Sequence, residues 1–367
     1  MGLTAGIVGL PNVGKSTLFN AITKAGVLAA NYPFATIDPN VGVVEVPDYR
    51  LDKLVALVKP KKTVPSIFEF TDIAGIVKGA SKGEGLGNKF LSHIREVDAI
   101  VQVVRAFDDG NVTHVDGTVD PIRDIETINL ELIFADIEVI EKRLPKIEKK
   151  ALLKVDKECV YEYGILKQIH ECLLAEQPIR TLKFSKEELI TIKNFNFLTM
   201  KPMLYVANIS EDEIADYSMN EYVKKIQAFA ATDASEVVVI SAKIESELSE
   251  LDDEEKMMFL EDLGVTEPGL TQLIQRSYRL LGLETYFTAG VQEVRAWTFK
   301  KDMKAPQCAG VIHTDFEKGF IRAETIKYKD FVEFKGEQGC KENGKMRLEG
   351  KEYVVQDGDI MHFLFNV

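Results

Sequence analysis

The sequence predicts an α/β protein with a doubly wound, mostly parallel sheet, an inserted helical hairpin and a small C-terminal α+β domain. Three observations predict it: a glycine-rich phosphate-binding motif after the first strand, an alternation of strand-like and helical segments, and a break in that alternation between about 129 and 198. The chain has 367 residues, which is enough for two or three domains with their own cores.

The predicted sheet begins with an apolar strand at residues 3–9, which a Gly-rich turn and a helix follow. Further short apolar runs have the length of buried strands, and helical patterns separate them. Strands that alternate with helices are typical of a parallel sheet. The later predicted strands are Ser66–Phe70, Ala99–Val104, Met203–Val206 and Val237–Ile240.

The predicted hairpin consists of two long helices. Apolar residues recur at helical spacing over Leu130–Leu144, and a second helical stretch covers roughly 151–175. Pro145 is expected to bend or interrupt the first arm, because proline removes a backbone donor and clashes with the preceding turn.

The last part of the chain changes to glycine-punctuated segments that we interpret as β-rich. Cys308–Ile312, Glu352–Val355 and Gly358–Phe365 are the clearest of these segments. They predict a separate small α+β domain at the C-terminus.

The strongest functional motif is the run Gly9-Leu-Pro-Asn-Val-Gly14-Lys15-Ser16, which is GxxxxGKS between a strand and a helix. Its backbone N–H groups are expected to face phosphates, and Lys15 is expected to bridge the β- and γ-phosphates as a catalytic residue. The Ser16 hydroxyl is predicted to ligate Mg²⁺. The predicted phosphate-binding residues are Asn12, Val13, Gly14, Lys15, Ser16 and Thr17.

A second motif, Asp72-Ile-Ala-Gly75, follows the strand at Ser66–Phe70. Asp72 is predicted to hold Mg²⁺ through water, and the Gly75 N–H to contact the γ-phosphate. The stretch from Gly79 to Gly87 is predicted to be a switch. Thr36 lies between the P-loop and this motif, where its hydroxyl can close on Mg²⁺ in the triphosphate state.

Residue 76 is Ile, at the position where Ras-type enzymes place a glutamine that orients the attacking water. An apolar side chain cannot do this, so slow intrinsic turnover is expected. Asn12 either coordinates a potassium ion near the phosphates or caps the loop backbone. His114 either approaches the γ-phosphate or is an inert residue of a polar loop.

The base-reading motif NKxD of GTPases is missing. After the strand Met203–Val206 the chain has Asn208-Ile209-Ser210-Glu211, so the lysine is Ile and the aspartate is Glu. A displaced carboxylate would repel adenine less and leave guanine without its acceptor, which favours ATP. Ser241-Ala242-Lys243 after the next strand matches the motif that packs against the base.

Composition excludes several classes of protein. No apolar run has the length of a membrane span, and the N-terminus lacks the pattern of a signal peptide, so we expect a cytoplasmic protein without a membrane partner. The four cysteines lie outside CxxC spacing, which argues against zinc or a disulfide framework. The net charge of −13 argues against a general nucleic-acid coat.

Charge is nevertheless unevenly distributed. Residues Lys142–Lys157 include seven basic and two acidic side chains, whereas Glu245–Asp262 include nine acidic and one basic. The basic run either contacts phosphates of an RNA partner or only solvates a helix face.

Taken together, the motifs GLPNVGKST, YPFATIDPNVG, DIAGIVKGAS-KGEGLGN and the NxxE run resemble the YchF-type Obg-like ATPases, over essentially the whole chain. The resemblance implies a ubiquitin-like β-grasp (TGS) domain at 281–367, a nucleotide-binding domain at 1–128 and 199–280, and a helical insert at 129–198.

The same resemblance implies the activity and the partners. It implies ATP hydrolysis with ATP preferred over GTP, dependence on Mg²⁺, stimulation by K⁺, ribosome association and a contact of the Ile209 backbone with adenine. Two alternatives stay open: a GTPase whose NxxE motif still reads guanine, and a nucleotide-gated binding scaffold with incidental hydrolysis.

Overall fold

The computed structural model describes residues 3–26, 40–74, 86–110 and 117–366. The chain divides into two compact units, Met1–Gly42 with Glu69–Leu273 and Val43–Phe68 with Ile274–Val367. We call them the nucleotide unit and the C-terminal unit. Of the predicted site residues, Thr36, Gly75 and His114 lie outside the described residues, as does the predicted switch apart from its last two residues.

The strands, in chain order, are β1 (Thr4–Val8), β2 (Val41–Glu45), β3 (Lys62–Val64), β4 (Ile67–Asp72), β5 (Ala99–Arg105), β6 (Met203–Asn208), β7 (Glu236–Ile240), β8 (Leu283–Ala289), β9 (Glu293–Lys300), β10 (Phe320–Lys327), β11 (Arg347–Glu349) and β12 (Asp359–Phe365). The α-helices are α1 (Lys15–Ala25), α2 (Tyr49–Val58), α3 (Leu86–Glu96), α4 (Pro121–Leu152), α5 (Lys157–Leu174), α6 (Lys186–Ile192), α7 (Glu221–Thr232), α8 (Ala242–Leu248), α9 (Asp253–Asp262), α10 (Gly269–Leu280), α11 (Ala305–Ile312), α12 (Thr314–Lys318), α13 (Tyr328–Glu333) and α14 (Glu337–Glu342).

The first sheet has the strand order β2-β4-β1-β5-β6-β7. The pairs β1–β4, β1–β5, β5–β6 and β6–β7 are parallel. Every residue of β5 and β6 is buried, as expected for parallel strands with helices on both faces. The predicted α/β fold with a mostly parallel sheet is therefore confirmed, and strands match all five predicted apolar runs.

The predicted helical hairpin is present as α4 and α5, which residues 153–156 connect. Isoleucines and leucines of both arms share one buried cluster, so the apolar stripes seen in the sequence face each other. The expected interruption at Pro145 is wrong, because α4 continues through it from Pro121 to Leu152. A helix of this length, buried against α5, tolerates the loss of one backbone hydrogen bond.

Buried hydrogen bonds fix the root of the hairpin to the nucleotide unit. The Asp136 carboxylate on α4 accepts from the backbone N–H groups of Leu198 and Thr199, at 2.9 and 2.8 Å. Burial raises the pKa of Asp136, and these N–H donors oppose that rise. Arg180 donates to both carboxylate oxygens of Asp233, at 2.8 and 2.7 Å.

The second sheet has the order β11-β10-β12-β8-β9-β3. Strands β8 and β9 form an antiparallel hairpin, β12 lies parallel to β8, and β10 lies antiparallel to both β12 and β11. With α11 after the first hairpin, this is the β-grasp arrangement. The β interpretation of Cys308–Ile312 is wrong, because these residues belong to α11, whose small side chains pack against the sheet. Glu352–Val355 contributes only an isolated bridge, at Val354.

The opposite face of this second sheet is covered by a segment from early in the chain. Leu51 and Leu54 of α2 pack with Phe287, Val294 and Ile326, and β3 extends the sheet beside β9. The structure therefore groups Val43–Phe68 with the C-terminal residues, whereas the sequence placed them in the nucleotide-binding domain. In the residues that the structure describes, no helix is long and apolar enough to cross a membrane.

Candidate nucleotide site

The loops that follow β1, β5, β6 and β7 meet at one edge of the parallel sheet, where ligands bind in open α/β folds. They enclose a cavity of about 670 Å³, a size typical of small-molecule sites. The lining residues that the sequence predicted are Asn12, Gly14, Thr17, Asn208, Ile209, Glu211, Ser241, Ala242 and Lys243. The structure thus brings together the P-loop and both predicted base motifs.

The P-loop has the backbone that its glycines allow. Gly14 has φ 94°, and a Cβ there would collide with the side-chain amide of Asn208. A Cβ on Gly9 would lie 2.9 Å from the carbonyl oxygen of Val103. Asn12 also has positive φ, at 63°, a conformation that asparagine tolerates better than most residues. The two glycines are therefore required by backbone conformation and by close approach.

Lys15 of the P-loop and Asp72 lie side by side. Lys15 is the first residue of α1, Asp72 is the last residue of β4, and the Lys15 ammonium forms an ion pair with the Asp72 carboxylate. Both side chains are mostly shielded from solvent, with 12% and 24% of their area exposed. The lysine that was predicted to contact phosphates and the aspartate that was predicted to hold Mg²⁺ are therefore paired with each other in this structure.

The two predicted magnesium ligands that the structure describes, Ser16 and Asp72, both offer oxygen atoms. Ser16 is exposed at the N-terminus of α1 and supplies a hydroxyl oxygen, and Asp72 supplies a carboxylate. Mg²⁺ prefers oxygen ligands and is commonly held by one or two carboxylates together with water and substrate phosphates. In the described part of the chain, no group of three or more His, Cys, Asp or Glu side chains could hold a metal ion.

Asn208 connects the P-loop to the last base motif. Its side-chain amide donates to the Val13 carbonyl at 2.9 Å, and its side-chain oxygen accepts from the Ala242 N–H at 2.9 Å. Asn208 is 4% exposed and Val13 is 1% exposed, so water does not compete for these bonds. Asn208 is the one residue of NKxD that this chain retains, and it links the P-loop to the loop after β7.

The carboxylate of the NxxE motif has a partner in the neighbouring motif. The Lys243 ammonium lies 2.5 Å from a Glu211 carboxylate oxygen, and this hydrogen bond raises the pKa of Lys243. Ile209, which replaces the lysine of NKxD, is 2% exposed, and its N–H donates to the Ile240 carbonyl at 2.9 Å. The Ser241 hydroxyl is buried, and its oxygen has no hydrogen-bond partner among the described residues.

Sequence reasoning missed one wall of the cavity. Phe107, Asp108, Asp109 and Gly110 line it directly after β5. The signal was present, because these residues follow the predicted strand Ala99–Val104, and the carboxyl ends of parallel strands meet at the same edge. They belong to no short motif, so the sequence alone does not single them out.

Comparisons with known proteins agree with this geometry. One family model, YchF-GTPase_C, described as "Protein of unknown function", matches residues 283–366. A second, described as "50S ribosome-binding GTPase", matches residues 4–141. The first range covers β8 to β12, and the second covers β1 to β5 and the first part of α4, including the segment Val43–Phe68 of the C-terminal unit.

Full-length relatives are similar over the whole chain. A Bacillus subtilis protein named "Ribosome-binding ATPase YchF" is 68% identical over 367 residues, covering 100% of both chains. A protein of the same name from Escherichia coli O157:H7 is 54% identical, again covering 100% of both chains. The solved structure of the Schizosaccharomyces pombe YchF GTPase is 44% identical with a TM-score of 0.89, covering 99% of this chain and 97% of that one. This chain is therefore a member of the YchF family of P-loop nucleotide-binding proteins.

Proposed function

We propose that this chain hydrolyses ATP and that the bound nucleotide controls its association with ribosomes. The observation that carries the proposal is the cavity that Asn12, Gly14 and Thr17 of the P-loop line together with an altered base motif. The names of the bacterial relatives support both parts, since they describe a ribosome-binding ATPase. Ribosome association also supports a cytoplasmic location.

The preference for adenine follows from the state of Glu211. Guanine presents two N–H donors to a free carboxylate in GTPases, and discrimination depends on that pairing. Here Lys243 already engages the Glu211 carboxylate, and the residue two positions before it is a buried Ile. Adenine needs no carboxylate, so it loses nothing at this site. The Ile209 backbone is proposed to contact it.

The phosphates are proposed to lie over the P-loop. Lys15 places its ammonium against the β- and γ-phosphate oxygens, and the N–H groups from Gly14 to Thr17 point the positive end of α1 towards them. Ser16 directly and Asp72 through water would hold Mg²⁺, which neutralises phosphate charge when bound. Thr36 and Gly75 are proposed to join the site with the triphosphate.

The site lacks the glutamine that orients the attacking water in Ras-type enzymes. Ile76 cannot orient water, so we expect slow intrinsic hydrolysis. Asn12 lies in the cavity wall with a side-chain oxygen suited to K⁺, and we propose it as a potassium ligand. His114 is proposed as the second group that could approach the γ-phosphate.

GTP is the second candidate substrate, because the Schizosaccharomyces pombe relative is described as a GTPase. Titration of the parent with fluorescent ADP and GDP separates the two: tighter ADP supports the proposal, and tighter GDP contradicts it. A double variant, Ile209→Lys with Glu211→Asp, restores the guanine-reading pattern. We expect its affinity ratio to move towards GDP by about tenfold or more.

The hairpin is the proposed contact with ribosomal RNA. Lys146, Lys149, Lys150 and Lys154 are all exposed at its far end, on a protein with a net charge of −13. Clustered lysines neutralise phosphates and release counterions, so binding should fall steeply with salt. The C-terminal β-grasp unit is proposed to contribute shape to the same interaction.

Co-sedimentation with purified ribosomes tests this contact. The four hairpin lysines are changed to Glu in one variant, and a matched control reverses Lys183, Lys186, Lys224 and Lys225, which are exposed elsewhere in the nucleotide unit. We expect the hairpin variant to lose ribosome binding and keep its basal ATPase activity. Equal binding by both variants, with the parent's salt dependence, would remove the hairpin from the interface.

A further inference from the structure

Arg105, the last residue of β5, is a buried arginine directly beneath the cavity wall that no motif predicts. It is 1% exposed, which is rare for a side chain that is charged at every physiological pH. A buried guanidinium is stabilised only when its donors are satisfied, so the groups it contacts must be held in place. Several of those contacts are with the loop Phe107–Gly110.

The guanidinium contacts this loop in three ways. Its Nε donates to the Phe107 carbonyl at 3.0 Å, and one Nη donates to the Asp109 carbonyl at 3.2 Å. Its Cζ also lies over the Phe107 ring, 4.7 Å from the centroid. The planar fork of arginine can reach two carbonyls and a ring at once, which the single ammonium of lysine cannot do.

The outer side of the loop is tied to the start of α7. Asn220, the N-cap of α7, donates to the Ala106 carbonyl at 2.9 Å. Tyr222 donates its hydroxyl proton to the Asp108 carboxylate at 2.9 Å. Residues of α7 thus bond to Ala106 and Asp108. Arg105 bonds to the alternate residues, Phe107 and Asp109.

We propose that Arg105 is a positioning residue for nucleotide selection. Through the two carbonyls and the ring contact it fixes Phe107 in the wall of the cavity, where the half-buried ring presents its exposed surface to the purine. The inference rests on the proposed function and extends it, because it names the group that orients an aromatic contact to the base. Stacking on an aromatic ring accepts the face of any base, so selection depends on the edge of the purine, and the orientation of the ring sets where that edge lies against the base motif.

Arg105→Gln tests the proposal because it removes the fork and the ring contact. We expect its Kd for fluorescent ADP to rise by about tenfold and its ratio of ADP to GDP affinity to fall, since a loosened Phe107 no longer favours one purine. The KM for ATP should rise while kcat changes by less than about twofold, because Arg105 touches no reacting atom. Arg105→Lys should show a smaller rise.

A double-mutant cycle with Phe107→Leu shows whether Arg105 acts through the ring. We expect the two effects on Kd to be strongly non-additive, because the second change removes an interaction already lost. Arg180→Gln is the matched control, since the Arg180 side chain is also buried and bonds to Asp233 and Asn129, which do not line the cavity. It should lower the melting temperature and leave the ADP to GDP affinity ratio unchanged.

The outcomes separate the two proposals. A parent protein that binds neither nucleotide overturns both the proposed function and this inference. A parent that binds ADP, with the parental affinity ratio in Arg105→Gln, overturns the inference alone. If Arg105→Gln does not fold, Arg105→Lys and Phe107→Leu carry the cycle, and additive effects in that pair would equally reject the positioning role.

Discussion

Each unit contains a sheet with six described strands, but the two sheets differ in where their polar side chains lie. In the nucleotide unit the parallel strands end at one edge, and buried polar side chains such as Asn208 and Arg105 reach from those ends into the loops. In the C-terminal unit helices cover both faces of the sheet, and aromatic residues such as Tyr286 and Phe299 fill it. The direction of the strands, rather than their number, therefore concentrates polar groups at one place.

The largest expected effect is that of Lys15→Ala. Loss of the ammonium against the β- and γ-phosphates should lower ATPase activity by about a hundredfold or more. Lys304→Ala in the C-terminal unit removes a lysine that is also paired with a carboxylate, at 2.5 Å from Glu352, and should leave the rate unchanged. A comparable loss of ATPase activity in both variants would contradict the assignment of phosphate binding to the nucleotide unit.

Asn208→Ala should have the next largest effect. It leaves the Val13 carbonyl and the Ala242 N–H without their buried partner, at a cost of about 1–3 kcal/mol each. We expect a lower melting temperature and weaker ADP binding. Asn343→Ala in the C-terminal unit removes an exposed bond to the Gly339 carbonyl and is the control. Calorimetry and nucleotide titration of both variants measure the contrast.

Glu245 gives a pH-dependent test in the nucleotide unit. Burial raises its pKa to about 7, although it accepts a hydrogen bond from the Gly269 N–H at 2.8 Å. Since the folded pKa is above the unfolded value, stability should fall as pH rises from about 4.5 to about 7 and then level off, by at most about 3 kcal/mol.

Glu245→Gln should flatten that dependence and be more stable than the parent at about pH 8, because no charge has to be buried. Denaturant unfolding at several pH values gives the curve. A variant with the same pH dependence as the parent would assign the effect to another group.

Thiol reactivity should show the smallest difference. Cys308 and Cys340 in the C-terminal unit are buried, and burial raises the pKa of Cys308 to about 12. Cys159 and Cys172 in the hairpin are half-buried. Iodoacetamide at neutral pH should therefore modify the hairpin cysteines slowly and the other two more slowly still. Mass spectrometry of the native protein resolves the sites, and prior labelling of Cys308 would indicate an open C-terminal sheet.

The sequence predicted the parallel sheet and most of the cavity because each motif there follows a strand. It did not predict α11, since a short apolar run such as Cys308–Ile312 fits a strand and a buried helix equally well. It also could not place α2, whose partners Phe287 and Ile326 lie far along the chain. Phe107 escaped because one aromatic residue after a strand forms no pattern, and only the contact with Arg105 gives it significance.

The early origin of α2 has a consequence for biosynthesis. Leu51 and Leu54 leave the ribosome long before the strands that they cover. Their apolar side chains therefore stay without these packing partners until the rest of the chain has been synthesised. Contacts between such distant segments also slow folding, because a long loop must close first. A fragment that begins at Ile274 would lack α2 and β3, leaving Val294 and Phe287 exposed on one face. Expression of the C-terminal strands alone should therefore yield aggregated protein, and co-expression with a Val43–Phe68 peptide should restore solubility.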